Sequence, residues 1–157
     1  MHPRAAEFAR CAAELGVDVE IREFPEGTKT AADAAEAVGC DVAQIASSIA
    51  MVADEFVVVV TSGAHRVSER RLADLRSVSP DEVRLAEAAE VKETLGWAIG
   101  GVPPFCHETI VPVYLDERLL EFETVWAAAG TPEAVFPIAP DRIEDLADAT
   151  PAVVAEA

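Results

Sequence analysis

The chain has 157 residues, 51% of them hydrophobic, which fills one domain core without help from disulfides or metal. Acidic residues number 29 against 12 basic ones, a formal charge of −17. That balance excludes loose, charge-driven attachment to DNA, and no apolar run approaches the ~20 residues of a membrane span.

Residues 3–15 carry Ala5, Phe8, Ala9, Ala12 and Leu15 at helical spacing, and Gly16 ends that helix. In VDVEIREF (17–24), Val17, Val19 and Ile21 alternate with charged residues, the pattern of a half-buried strand. Thr30 caps the Ala-rich helix AADAAEAV, which Gly39 closes. The stretch VAQIASSIAMV (42–52) has no charge at all, and its second half predicts a strand in a hairpin with FVVVV (56–60). Absence of charge there predicts burial on both faces. Ser68 caps ERRLADL, Ser79-Pro80-Asp81-Glu82 starts a turn, and AEAAEVKETL is a helix ending at Gly96. TIVPVYLD, ETVWAAAG and AVFPI read as strands, and DRIEDLAD after Pro140 as a final helix. Helices and strands alternate irregularly, with no repeat or linker. The expectation is a single α+β domain over 1–157, with a mixed, largely antiparallel sheet or barrel and peripheral helices.

The acidic excess is spread along the chain, and ten of the 12 basic residues are Arg. This pattern points to a salt-loaded cytoplasm and a halophilic source. At ~1 M salt the Debye length falls to about 3 Å, so acidity does not bar RNA as a partner. The opening MHPRAAEFARC lacks a signal-peptide core, so a cytoplasmic protein is expected. Cys11, Cys40 and Cys106 are odd in number and widely spaced, which suggests neither a disulfide framework nor a zinc site. In Cys106-His107-Glu108 the ligand types are adjacent, and adjacent ligands rarely converge on one ion. No metal and no cofactor is expected.

A second uncharged island, AIGGVPPFCH (98–107), joins two flexible glycines to two stiff prolines. It is not a phosphate loop, since no G-x-x-x-x-G-K-[ST] exists. Two readings stand: a structural turn, or a loop that presents backbone groups to a ligand.

The chain order of TAADAAEAVGCDVAQIASSI, the Val-rich strand, RVSERRLADL, LGWAIGGVPPF, VPVYLD and VWAAAGTPEAVFPI resembles the YbaK/prolyl-tRNA-synthetase-associated domain family over roughly residues 15–150. Gly100-x-x-x-Pro104 matches that family's Gly-x-x-x-Pro signature. Thr30-Ala31-Ala32, Asp116 and Ala128-Ala129-Gly130 fall where the family has similar elements. The resemblance implies a mixed sheet bent around a pocket and a free-standing hydrolase that acts on mischarged aminoacyl-tRNA. It implies catalysis without metal, through the loop backbone at Gly100 and Gly101 and the tRNA's own ribose hydroxyl. Thr30, Ser47, Ser48, Val102, Pro103 and Pro104 would line the substrate pocket.

One residue departs from the pattern. The family's lysine follows Gln-Ile-x, and here Gln44-Ile45-Ala46 is followed by Ser47. A hydroxyl supplies no positive charge to a phosphate or an oxyanion. Hydrolysis without that charge, a replacement cation at Lys29 or Arg66, and a non-catalytic module that binds tRNA ends, aminoacyl groups or a protein partner are the readings left open. A small ester unrelated to tRNA is a further substrate class. Trp97 and Trp126 are candidates to stack an adenine. His107 is the acid/base candidate by residue type, and Asp116 is read as a turn cap. Nothing in the sequence gives an oligomeric state.

Overall fold

The computed structural model describes residues 1–24 and 30–156. Among them, helices α1 (Pro3–Glu14), α2 (Ala31–Val38), α3 (Glu69–Arg76), α4 (Ala88–Leu95) and α5 (Pro140–Ala147) surround one sheet. Its strands are β1 (Arg22–Glu23), β2 (Ile45–Ala53), β3 (Glu55–Ser62), β4 (Val83–Leu85), β5 (Val113–Asp116), β6 (Val125–Ala128), β7 (Ala134–Ile138) and β8 (Thr150–Ala152). They run in the order β1-β7-β6-β2-β3-β5-β8, with β4 also on β2. The pairings β2–β6, β3–β5 and β5–β8 are parallel, and the other four are antiparallel. This is the mixed, largely antiparallel α+β architecture expected from the sequence.

The local signals act as read. Thr30 Oγ1 accepts the Asp33 N–H at 3.0 Å and Ser68 Oγ that of Arg71 at 3.2 Å, each satisfying a donor the helix leaves open. The valines of β3 are unbroken because both faces of the strand are covered. Val58 and Val60 join a core with Phe8, Phe105 and Phe136, while Val57 and Val59 join another with Leu72, Val83 and Tyr114.

Two readings need correction, and two short strands carry no signal in the sequence. Of the predicted strand 17–24, Arg22 and Glu23 pair with β7, and the Phe24 N–H adds one bond to the Glu133 carbonyl at 2.7 Å. Val17, Val19 and Ile21 pack against the core without sheet partners, so their alternation reflects burial alone. Strand β4 follows directly on the Pro80–Glu82 turn, in a stretch to which the sequence pattern assigns no element. Strand β8 contains Pro151, which a sheet tolerates only at an edge. Finally, Cys11 and Cys106 form a disulfide across 95 residues of sequence, leaving Cys40 as the free thiol among the described residues.

Candidate active site

The site is built around an interruption in the sheet. One edge of β2 pairs with β3 from Ala46 to Ala53. On the other edge β6 covers Ile45 and Ala46, and β4 covers Met51 to Ala53. Ser47, Ser48 and Ile49 therefore have no strand beside them on that edge. Backbone groups alternate sides along a strand. The Ile45 carbonyl accepts Gly63 N–H on the β3 side at 2.7 Å, and the Ala50 carbonyl accepts Ala86 N–H on the β4 side at 3.0 Å. By the same parity the N–H and C=O of Ser48 face the gap. Its hydroxyl is also buried, with no hydrogen-bond partner.

The gap opens on a cavity of about 320 Å³. Thr30, Ser47, Ser48, Gly100 and Val102 all line it, and the rest of its described wall is apolar, backbone aside. No charged side chain lines it among the described residues. Such a volume lies in the range of small-molecule sites.

The two glycines of the loop have different tasks. Gly100 has φ +86°, a left-handed conformation in which a Cβ is strained. Gly101 is a close approach: a Cβ there would stand 2.7 Å from Thr131 Cα and 2.9 Å from its C and N. Gly101, Pro103 and Pro104 are buried behind the cavity wall and do not line it. The loop is braced from behind. Phe105 packs in an aromatic cluster with Phe8 and Phe136, at ring distances of 5.4 and 6.0 Å. Cys106, at φ +67°, accepts the Trp97 indole N–H on its carbonyl at 2.8 Å and is bonded to Cys11 of α1.

His107 completes that bracing. Its Nε2 lies 2.8 Å from the Pro103 carbonyl oxygen, which fits a neutral imidazole donating its Nε2–H, and it is not on the cavity wall. Burial pulls its pKa below the ordinary value, while the bond to Pro103 works weakly the other way. The folded pKa is therefore below the unfolded one, and the unfolded chain takes the proton first. Stability present above the ordinary value, roughly 6.5, is lost as pH falls through the folded pKa. His107→Gln keeps a donor without titrating. The stability advantage of the wild type over that variant should shrink as pH drops from roughly 7.5 to roughly 5, read by thermal unfolding. A constant difference would remove the buried imidazole from the account.

The remaining candidates sort by position. Asp116 is 1% exposed, accepts the Arg118 N–H at 3.1 Å and receives the Thr61 hydroxyl at 3.4 Å, so it holds a turn. Trp97 is buried behind the loop and carries Arg4 4.2 Å over its ring, which leaves no face for a base. Trp126 lines the cavity, with Arg22 4.9 Å over it. Lys29 lies outside the described residues. Arg66 lines a different cavity. Sequence reasoning missed Arg22 at the cavity margin, because its place follows from the pairing of β1 with β7.

The α+β domain thus holds a loop-walled cavity beside an open strand edge, with no charged side chain on its wall among the described residues, which suits a small-molecule site. The comparisons name the family. Residues 25–146 match the model of the aminoacyl-tRNA editing domain, and the chain belongs to that family, with its deacylase-like function. It is 28% identical over 129 residues to the uncharacterized protein YwhH of Bacillus subtilis (strain 168), covering 81% of this chain and 80% of that one. It is 31% identical over 116 residues to a proline–tRNA ligase of Stenotrophomonas maltophilia (strain R551-3), covering 71% of this chain but 20% of the ligase. A solved structure of a candidate trans-editing enzyme for prolyl tRNA synthetase superposes with a TM-score of 0.93 at 36% identity, covering 100% of this chain and 99% of that one.

Proposed function

We propose that this protein works in trans on mischarged tRNA, hydrolysing the ester between the amino acid and the terminal ribose, and that it does so in the cytoplasm without the family lysine. The observation that carries this reading is the unpaired edge of β2 at Ser48, open to an uncharged cavity that also receives Gly100. The amino-acid side chain enters the cavity. Water adds to the ester carbonyl, the oxygen becomes an oxyanion, and collapse expels the ribose oxygen, which leaves with a proton. The Ser48 N–H is the donor at hand for the oxyanion, and such a donor contributes about 3 kcal/mol when preorganised. No charged wall residue among those described is available as a base, so the neighbouring ribose hydroxyl orients the water, as the family resemblance implies. The described wall, which carries no charged side chain, admits small apolar or hydroxyl-bearing side chains and rejects charged ones, whose burial without a partner is costly. Within that class size is the filter, at ~1–3 kcal/mol per methylene. The proline-ligase relative makes tRNA for proline the first acceptor to try.

The test is release of amino acid from a panel of mischarged tRNAs by the wild type and by Ser48→Ala. The variant removes a buried hydroxyl that has no partner. It should unfold about 1 kcal/mol harder than the wild type yet deacylate about tenfold more slowly, because the substrate loses a hydrogen bond to the hydroxyl while the backbone N–H at position 48 stays in place. No release from any tRNA by the folded wild type would defeat the reading.

A further inference from the structure

A second cavity of about 430 Å³ reaches Ser47 from the α3 side of the sheet. The two cavities share Ala31, Ser47, Ile49 and Leu85, so Ser47 is part of a partition between them. Their walls differ in kind. The first has no charged side chain among the described residues, whereas the second is lined by Arg66, His65, Glu69 and Glu156 as well as Thr61 and Ser62.

The polar corner is firmly built. The Arg66 carbonyl accepts the Glu156 N–H at 2.8 Å, Val67 bridges to Ala155, and the Ser68 N–H donates to the Val154 carbonyl at 2.7 Å. Arg66 has no carboxylate partner among the described residues, although acids outnumber bases more than twofold in this chain. Beside it the Arg118 guanidinium stands 3.3 Å from His65 Nε2, itself held by the Glu156 carbonyl at 3.0 Å and by Asp116 at 3.6 Å. Arg118 itself is not on the cavity wall, so among the described residues Arg66 is the guanidinium that lines it. A free inorganic anion would be disfavoured by Glu69 and Glu156. A nucleotide suits both signs, with guanidinium on the phosphate and carboxylate on a sugar hydroxyl.

We infer that the second cavity seats the terminal ribonucleotide of the substrate, Arg66 holding its 5′-phosphate. This rests on the deacylase reading above. The aminoacyl group fills the first cavity, the nucleotide fills the second, and the short Ser47 side chain lets the ester pass between them.

The experiment compares 3′-aminoacyl-adenosine with and without a 5′-phosphate, using the wild type, Arg66→Ala and Arg66→Lys. Arg66 is exposed, so the variants should fold, which a melting curve checks. The phosphate should lower the wild-type KM by about tenfold with kcat unchanged. Arg66→Ala should erase that advantage, bringing the two KM values together, and Arg66→Lys should keep part of it. Equal KM values for the two substrates in the wild type would overturn the inference and leave the deacylase reading standing. Hydrolysis of neither, together with no release from the mischarged tRNA panel, would sink the deacylase reading instead. Calorimetry of AMP against adenosine then decides the cavity alone: an Arg66-dependent preference for AMP supports a nucleotide seat, and equal binding refutes it.

Discussion

Gly101→Ala should reduce deacylation at least 100-fold and lower the stability of the fold. The added Cβ would meet three backbone atoms of Thr131 within 2.9 Å, and backbone does not swing aside as a side chain does. The loop must lift from the turn at 130–132, carrying Gly100 away from the cavity. Overpacking of this kind costs about 1–3 kcal/mol, or roughly 2–4 °C of Tm per kcal/mol in a domain of this size. Displacement of a positioning loop by about 1 Å is enough for a 100-fold loss of rate. Gly100→Ala is the instructive comparison. Its Cβ would make only an ordinary contact, 3.5 Å from Pro132 Cγ, so its cost of about 1–2 kcal/mol is the left-handed backbone alone. Denaturant unfolding and single-turnover deacylation of both variants test the point. A Gly101→Ala protein as stable and as fast as the wild type would show that the loop does not rest on Thr131.

Opening the disulfide is expected to have the second large effect. Cys11 and Cys106 close a loop of about 95 residues, and removing such a link costs about 5 kcal/mol in the chain-entropy account, against about 2–4 kcal/mol for a typical disulfide. Cys106 also follows the Gly100–Pro104 loop proposed to place the substrate, so Cys11→Ser should weaken deacylation as well as folding. Alkylation in denaturant without reductant should label Cys40 alone, and all three cysteines after reduction. Denaturant matters because burial, and then Asp41, raise the Cys40 pKa and slow its reaction in the folded protein. Three labelled cysteines before reduction would exclude the bond in solution.

The helices were legible because their ends are written in single residues: Thr30 and Ser68 as caps, Gly39 and Gly96 as left-handed stops. The central hairpin was legible from charge, since a run of valines and alanines without an ion has few other homes. Strands of two or three residues were not, because β1, β4 and β8 are defined by what lies beside them and not by their own pattern. The same division holds at the site. Thr30, Ser47, Ser48, Gly100 and Val102 were named from order along the chain, and the fold brings them to one cavity. Pro103 and Pro104 were named with them from the same motif, yet they stiffen the loop from behind. The disulfide escaped notice because the packing of α1 against the loop, not cysteine spacing, brings its halves together. The second cavity needed the sheet itself, since its wall draws on β2, β3, the turn after β3 and the last residues of the chain.

The interruption on β2 also bears on how the protein stays in solution. An unpaired strand edge on a surface is a template for the edge of another molecule, and proteins usually blunt it with charge or proline. Here only three residues, Ser47 to Ile49, are left unpaired, and β4 and β6 stand at either end of them. A foreign strand of ordinary length would collide with both before it could bond. A single small group fits. The protein therefore keeps the Ser48 N–H and C=O open to its cavity without offering them to its own kind, even in salt strong enough to screen the repulsion between its acidic surfaces.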